Sequence, residues 1–291
     1  MPDSSHVLKR ILVAAHPQMA EALPEAAAIA GYLESFKLTV NHGSLDDASL
    51  RKRVEGGRCD MLVAVGGDGT MLRAAHLCAP HGVPILGIKL GRLGFLIQIR
   101  GEEWRSAIPL LLKGEYWTEN RMMIRAEHWR GEEMLGDWHA LNEAVVCRGH
   151  FIRPLHISAS VDGRLLTNYV ADGLIAATPT GSTAYALAAG GPILPPELRN
   201  ILLVPIAPHL SIDRAVVLSE GSSVSITTMG DTPAVLSVDG QNPIDLAEND
   251  RVDVGAGSYA ARFVRFGDPG YFYRNLTAHM NLNSLTGLRD E

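Results

Sequence analysis

Five consecutive apolar residues, Met61-Leu62-Val63-Ala64-Val65, run straight into Gly66-Gly67-Asp68-Gly69-Thr70, and no other stretch restricts the fold as tightly. An apolar run of this length between Asp60 and Gly66 suits a strand buried on both faces, the habit of parallel sheets covered by helices. From Thr70 to Ala79 the apolar residues Met71, Leu72, Ala75 and Leu77 return at helical spacing, so the glycine turn sits where a parallel strand hands over to a helix. Glycines let backbone N–H groups approach an anion with no Cβ in the way, and a helix N-terminus adds partial positive charge. These features describe a phosphate cradle, although neither G-x-x-x-x-G-K-[ST] nor G-x-G-x-x-G is present. Asp68 is the odd member. A carboxylate pointed at phosphate repels it, which argues for holding a metal or orienting a hydroxyl that attacks the phosphate, and therefore for a kinase. The same residues also suit a strand-ending turn whose Asp caps the helix.

The neighbouring segments repeat the alternation. Arg10 to Ala15 predicts a first strand, Gln18 to Leu33 a helix, Leu38 to Val40 a short strand, Asp46 to Glu55 a helix, Val83 to Ile88 a strand and Glu102 to Leu112 a closing amphipathic helix. Strands alternating with helices imply an α/β, doubly wound parallel sheet, whose ligands gather at the carboxyl ends of the strands. The strand after Val83 runs into Lys89-Leu90-Gly91-Arg92-Leu93-Gly94-Phe95-Leu96, so two adjacent strand ends are expected to wall one pocket. Phe95 offers a face for a flat ring, or fills the core beside a tight turn.

Composition excludes several classes. The 291 residues are 46% hydrophobic and 20% charged with a formal net charge of −6, so the electrostatic footprint of a nucleic-acid binder is absent. All five lysines lie at or before Lys113, so any cation offered to a phosphate in the second half is Arg or His. Cys59, Cys78 and Cys147 show no C-x-x-C pairing, which indicates neither a disulfide framework nor a zinc site. With a polar N-terminus and no stretch long enough to span a bilayer, the sequence reads as a cytoplasmic protein without a membrane partner.

Beyond Lys113 short β-prone runs take over: Met122 to Trp129, Trp138 to Cys147, Leu155 to Val161, Leu174 to Thr178, Ser223 to Thr228, Ala234 to Val238 and Arg251 to Val254. They predict a mostly β, sandwich-like second domain. The expected boundaries are 1–115 for the α/β domain, 116–266 for the β-rich domain and 267–291 for a tail returning to the first. One irregularity interrupts the β pattern. The run from Ala171 to Leu187 stops a small-residue strand at Pro179, turns through Thr180-Gly181 and enters a short helix, with Ser182 placed as N-cap and hydroxyls on Ser182, Thr183 and Tyr185. Asn142 and Glu143 lie inside the apolar Trp138–Cys147 run, where a buried amide and carboxylate need partners. They read either as a nucleoside site, the carboxylate accepting from a ribose diol, or as a water-facing edge pair. Asp239-Gly240-Gln241 reads first as a hairpin turn, and His209 is ambiguous.

Together these residues closely resemble the bacterial NAD kinases, over roughly Arg10 to Phe266. The resemblance rests on Gly66–Thr70, Gly91–Leu96, Leu141-Asn142-Glu143, Asp172–Tyr185, Gly190-Gly191-Pro192-Ile193, Pro205–His209 and Asp239-Gly240-Gln241 in that order. Only the first is shared with diacylglycerol-type lipid kinases, the alternative substrate class; a non-catalytic dinucleotide-binding regulator is the third reading.

The resemblance implies phosphorylation of the adenosine-ribose 2′-hydroxyl of NAD, with Asp68 as proton acceptor and Gly67 and Gly69 against the dinucleotide. It implies that Asn142, Glu143 and Asp172 serve the nucleoside and nicotinamide ends, and that Thr183, Ala184, Tyr185, Ala186, Leu187 and Ala188 line the dinucleotide pocket with Tyr185 as a stacking ring. Arg73, Phe95, Arg153 and Gln241 complete it. ATP, or polyphosphate in its place, with Mg²⁺ or another divalent cation is the implied donor, and homodimers or homotetramers are the implied assembly. Three departures stand out. Lys89 occupies a position where the family usually carries Asn, putting a mobile cation near the pocket; Tyr169-Val170-Ala171 precedes Asp172 where a basic residue is common; Val204 stands where Thr is usual.

Overall fold

The computed structural model describes residues 8–91, 94–149, 153–209, 212–270, 272, 273 and 276. They divide into two units, Met1–Asn120 with Ala261–Glu291, and Arg121–Ala260. Arg92 and Leu93 of the second glycine segment, and most of the tail for which a return was expected, lie outside the described residues.

In the first unit strands and helices alternate: β1 (Arg10–Ala15), α1 (Ala22–Glu34), β2 (Thr39–Ser44), α2 (Ala48–Glu55), β3 (Met61–Gly66), α3 (Asp68–Cys78), β4 (Ile85–Lys89), the two-residue β5 (Ile99–Arg100) and α4 (Trp104–Leu112). The strands pair in parallel in the order β2-β1-β3-β4. One face of the sheet packs Ile11, Val13, Met61, Val63, Val65, Leu86 and Ile88 against α1 and α4. Leu12, Leu62 and Ala64 point to the other face, as the pleat requires, and are buried as well. There Met71 of α3 lies so close over Gly87 that a Cβ on that glycine would come within 2.8 Å of its sulfur. Burial on both faces is why β1 and β3 read as unbroken apolar runs. With this strand order the connections diverge at the carboxyl ends of β1 and β3, the crevice where doubly wound sheets take their ligands.

The first helix begins at Ala22, later than the expected Gln18. Pro24 explains the delay, since its ring and missing N–H are tolerated in a first turn and not further in. Before it, the Gln18 N–H donates to His16 Nδ1 at 3.1 Å and the chain turns.

The chain leaves the first unit within β6 (Trp117–Arg130). It continues through β7 (Glu133–Ala140), β8 (Glu143–Arg148), β9 (Leu155–Val161), β10 (Arg164–Ala171), β11 (Gly173–Ala177), α5 (Tyr185–Ala188), β12 (Asn200–Ile206), β13 (Val216–Ser219), β14 (Val224–Met229), β15 (Ala234–Val238) and β16 (Ile244–Leu246), and returns within β17 (Arg251–Arg265). Within the second unit one sheet runs β10-β9-β14-β17, with β6 and β7 attached, and the other runs β13-β12-β11-β8-β15-β16. Alternate residues of both sheets, among them Ile124, Ile157 and Ile226 of one and Val146, Leu174, Leu203 and Leu236 of the other, form a shared core. That is the expected sandwich of antiparallel strands. The second sheet is buried on its outer face too, where Val145, Ile175, Ala177, Leu202 and Val204 pack against Ala186 of α5. The strand–turn–helix irregularity is therefore a cover for one sheet.

One expected strand is two. Trp138 to Cys147 breaks at Leu141-Asn142, a bend between β7 and β8. The polar β10 was not expected.

Candidate active site

Asp68 is the first residue of α3, and Gly67, with extended backbone, is the N-cap. Its carboxylate makes no capping bond and instead reaches the second glycine segment, so the plain-cap alternative does not hold. Asp68 Oδ2 accepts the Phe95 N–H at 2.7 Å. A Cβ on Gly94 would meet all three atoms of the carboxylate group within 2.4 Å, so the glycine is there to let the acid in. Oδ1 is buried and accepts no hydrogen bond; Lys89 Nζ stands 3.7 Å from it. Lys89 is only 8% exposed, which makes it a buried cation and not a mobile one.

The cradle is narrower than the three glycines suggested. The Gly67 N–H donates to Thr70 Oγ1 at 3.2 Å, and a Cβ on Gly66 would sit 2.2 Å from the same oxygen. The first-turn N–H groups of Asp68 and Gly69, which no helical carbonyl can reach, are the ones left for an anion. Space above Gly69 is open. Arg73, one turn on, pairs instead with Asp46 at 3.6 Å.

The candidate residues of the second unit are organised by a residue the sequence presented as a hairpin turn. Asp239 and Gly240 both have positive φ, 47° and 67°, and Gln241 N–H donates to Val238 O, which closes a tight β-turn of the I′ type. The Asp239 carboxylate also accepts the N–H groups of Leu141, Asn142 and Glu143 at 2.7, 2.8 and 2.9 Å. Nothing in local sequence announces this clamp, because the partners are about a hundred residues apart.

Glu143 opens β8, a strand inside its sheet and flanked by β11 and β15, so the edge-pair alternative fails. Its side chain is buried, with Oε2 unpartnered. Burial and the nearby Asp239 charge push its carboxyl up to about 8, with the Tyr185 backbone N–H pulling the other way. Asn142 is half-buried, and its carbonyl lies so close under Gly181 that a Cβ there would approach to 2.1 Å. Asp172, between β10 and β11, pairs with Arg148 at 3.2 Å. Burial pushes the Tyr185 phenol up, and Cys147, Asp172, Arg148 and Glu143 are the charges it feels. Asn142, Glu143, Asp172 and Tyr185 thus share one neighbourhood, joined by Arg148, which the sequence did not single out.

Ser182 is not an N-cap. It lies within the turn Gly181–Thr183, where its hydroxyl donates to Pro179 O at 2.6 Å and accepts from Leu194 N at 2.9 Å. Thr183 donates to Thr180 O. Of the three hydroxyl residues only Tyr185 presents itself, at 45% exposure. Ala186 is fully buried, Ala184 and Leu187 are half-buried, and Ala188, Arg153, His209 and Gln241 are exposed. Among the described residues no group of three or more His, Cys, Asp or Glu side chains is placed to hold a metal, and no helix is long and apolar enough to cross a membrane.

The family models for the ATP-NAD kinase N-terminal domain and C-terminal domain match residues 7–116 and 141–266. The chain belongs to the ATP-NAD kinase family. Among its relatives, the NAD kinase of Chloroflexus aggregans is 44% identical over 222 residues, 76% of this chain and 80% of that one. The NAD kinase of Heliobacterium modesticaldum is 41% identical over 224 residues, 77% and 78% of the two chains. The fold is shared with yeast NADH kinase complexed with NADH, at a TM-score of 0.84 and 25% identity, covering 98% of this chain and 91% of that one. It is shared as well with an NAD kinase from Archaeoglobus fulgidus in complex with ATP, at 0.74 and 26%, covering 94% and 98%. Membership in the ATP-NAD kinase family makes the chain a kinase of mixed α/β and mostly β units. The match extends through both units, whereas the glycine turn shared with lipid kinases lies in the first alone.

Proposed function

We propose that this chain is an NAD kinase that transfers the terminal phosphoryl group of ATP to the 2′-hydroxyl of the adenosine ribose of NAD. The observation that carries this reading is an acid fastened at a glycine turn, Asp68 held by the Phe95 N–H with Oδ1 unbonded, in a chain whose two halves both match ATP-NAD kinase domains.

In this reading the Asp68 carboxylate takes the hydroxyl proton as the ribose oxygen attacks phosphorus. The fixed Oδ2 bond holds the carboxylate in one orientation, and positioning supplies much of the rate in phosphoryl transfer. The free N–H groups of Asp68 and Gly69 face the donor's phosphates, helped by the α3 dipole. A divalent cation such as Mg²⁺ would arrive on those phosphates and neutralise their charge; a cation bound mainly by substrate needs only one or two protein carboxylates, and Asp68 is the one beside the turn.

We assign dinucleotide binding to the second unit: Asn142, Glu143, Asp172 and Thr183 to Ala188, with Arg153 and Gln241. A ribose diol donating to Glu143 would satisfy an oxygen otherwise buried without a partner. Three unpaired thiols support a cytoplasmic setting, and the family resemblance supports a homodimer or homotetramer, which gel filtration with light scattering would check.

The test is direct. Purified chain with Mg²⁺ is given ATP, then polyphosphate, with NAD, NADH and diacylglycerol as separate acceptors, and NADP or NADPH is measured by a coupled dehydrogenase. NADP formed from NAD is the expected result. A phosphorylated lipid without NADP, or tight NADP binding without turnover, would replace the assignment.

A further inference from the structure

Lys89 ends β4 directly opposite Gly66 in the parallel register, so its side chain enters beside the glycine turn. It is 8% exposed. Its ammonium lies 3.7 Å from Asp68 Oδ1 and 3.9 Å from the place a Cβ on Gly67 would occupy. An ammonium has three N–H donors, and among the described residues none of these meets an acceptor at hydrogen-bond distance. Asp68 Oδ1 is likewise buried without a hydrogen bond. Charge-assisted N–H···O contacts ordinarily close to about 2.7–2.9 Å, so this pair is held apart. Asp68 is fixed by Phe95 N–H and Gly94, and the Lys89 backbone by its strand. Donors without a protein acceptor are left to water or to a ligand that can fill them.

What fills them is defined by the surroundings. The first-turn N–H groups of α3 carry partial positive charge into the same place, and Asp68 would repel a polyanion there unless a cation offset it. We propose that Lys89 is a catalytic residue that binds an oxygen of the phosphoryl group in transfer. This rests on the phosphotransferase reading. The ribose oxygen forms its bond to the γ-phosphorus, the bond to the β,γ-bridging oxygen breaks with its electron pair leaving on ADP, and the hydroxyl proton goes to Asp68. Lys89 exchanges no proton; it contributes charge and hydrogen bonds to oxygens whose charge is redistributed in the transition state.

The test compares Lys89→Met and Lys89→Arg in the full chain, with kcat and KM for NAD and ATP, thermal midpoints, and binding of inorganic tripolyphosphate by calorimetry. Losing one preorganised donor typically costs about 10² to 10³ in kcat. Lys89→Met is expected in that range, with KM for NAD within about threefold, tripolyphosphate binding at least tenfold weaker, and a thermal midpoint no lower than that of the unaltered chain. Lys89→Arg is expected to recover most of the loss. A Lys89→Met enzyme within threefold of normal kcat overturns the assignment, as does a loss that Lys89→Arg leaves unrepaired. If the unaltered chain phosphorylates no NAD, the kinase reading falls by itself, and tripolyphosphate binding decides Lys89: equal binding by both proteins overturns its role as a phosphate ligand. Should Lys89→Met fail to fold, Lys89→Gln takes the same measurements.

Discussion

Asp239 Oδ1 accepts the Glu143 N–H at 2.9 Å, and its charge is one of the two causes that push the Glu143 carboxyl up. One acid therefore fixes the other's backbone while discouraging its ionisation. The pair couples the hairpin between β15 and β16 to the bend that precedes β8.

Replacing Asp239 with Ala removes the acceptor for three N–H groups at once. Hydrogen bonds to charged groups contribute about 1.5–3 kcal/mol each at best, and solvent and relaxation recover part of the three, so Asp239→Ala is expected to lower unfolding stability by about 2–4 kcal/mol. Urea denaturation checks this, and an unchanged midpoint would show that the clamp contributes nothing. KM for NAD should rise with it, because Asn142 and Glu143 lose their fixed position.

Glu143 makes stability depend on pH with a definite sign. Its folded value of about 8 lies above the ordinary 4.5, so between those values the folded state holds more protons than the unfolded. The stability is complete below pH 4.5 and is lost as pH rises through 8. Glu143→Gln removes the ionisable group, and at pH 8.5 it is expected to be more stable than the unaltered chain by a few kcal/mol, because each pH unit separating the folded and unfolded values is worth about 1.4 kcal/mol. The difference should vanish near pH 4. Melting curves at both pH values read it, and a Gln variant less stable at pH 8.5 would contradict the buried, unpartnered geometry.

Three substitutions in the two glycine segments separate the acid from its support. Asp68→Asn keeps a carbonyl oxygen for Phe95 N–H and loses the proton acceptor, so kcat is expected to fall by about 10² to 10⁴ with NAD affinity nearly intact. Gly94→Ala places a methyl within 2.4 Å of the Asp68 carboxylate and must move it. It is expected to lower kcat by at least tenfold, while Gly69→Ala, which meets open space, should do less harm to folding than to phosphate approach. Fluorescence-detected NAD binding beside turnover distinguishes these effects; a fully active Asp68→Asn would reassign the base.

How much of this was readable in the chain follows from how local each cause is. β1, β3 and β4 announce themselves because burial on both faces leaves unbroken apolar runs. The break at Leu141-Asn142 is hidden in an apolar stretch, since what holds it is Asp239, far along the chain. β10 escapes detection because Leu165 is exposed, Thr167 and Asn168 are polar, and its register slips between Leu165 and Thr167. That Asp68 stands where a strand hands over to a helix was legible from glycine spacing. Burial of Lys89 was not, because a lysine at a strand end ordinarily sends its charge to water, and only the folded turn shows that it does not.

Asp250 is fully buried, accepting from His128 Nε2 at 2.8 Å, from Arg130 Nε and Nη2 at 2.9 Å and from the Ala247 N–H at 2.8 Å. Burial raises its carboxyl, but the Arg130, Ala247 and His128 bonds outweigh it and bring it down to about 2. A depressed acid contributes stability present above its unfolded value of 3.8 and lost as pH falls through 2. Asp250→Asn leaves His128 buried beside an amide and Arg130 without its counter-charge, a break that costs about 3–5 kcal/mol for buried pairs. The loss is expected near 3 kcal/mol at pH 7, since Arg130 is half in solvent, and should shrink toward pH 2 as the native acid takes up its proton. A variant equally destabilised at pH 7 and pH 2 would mean that packing, and not charge, is what Asp250 supplies.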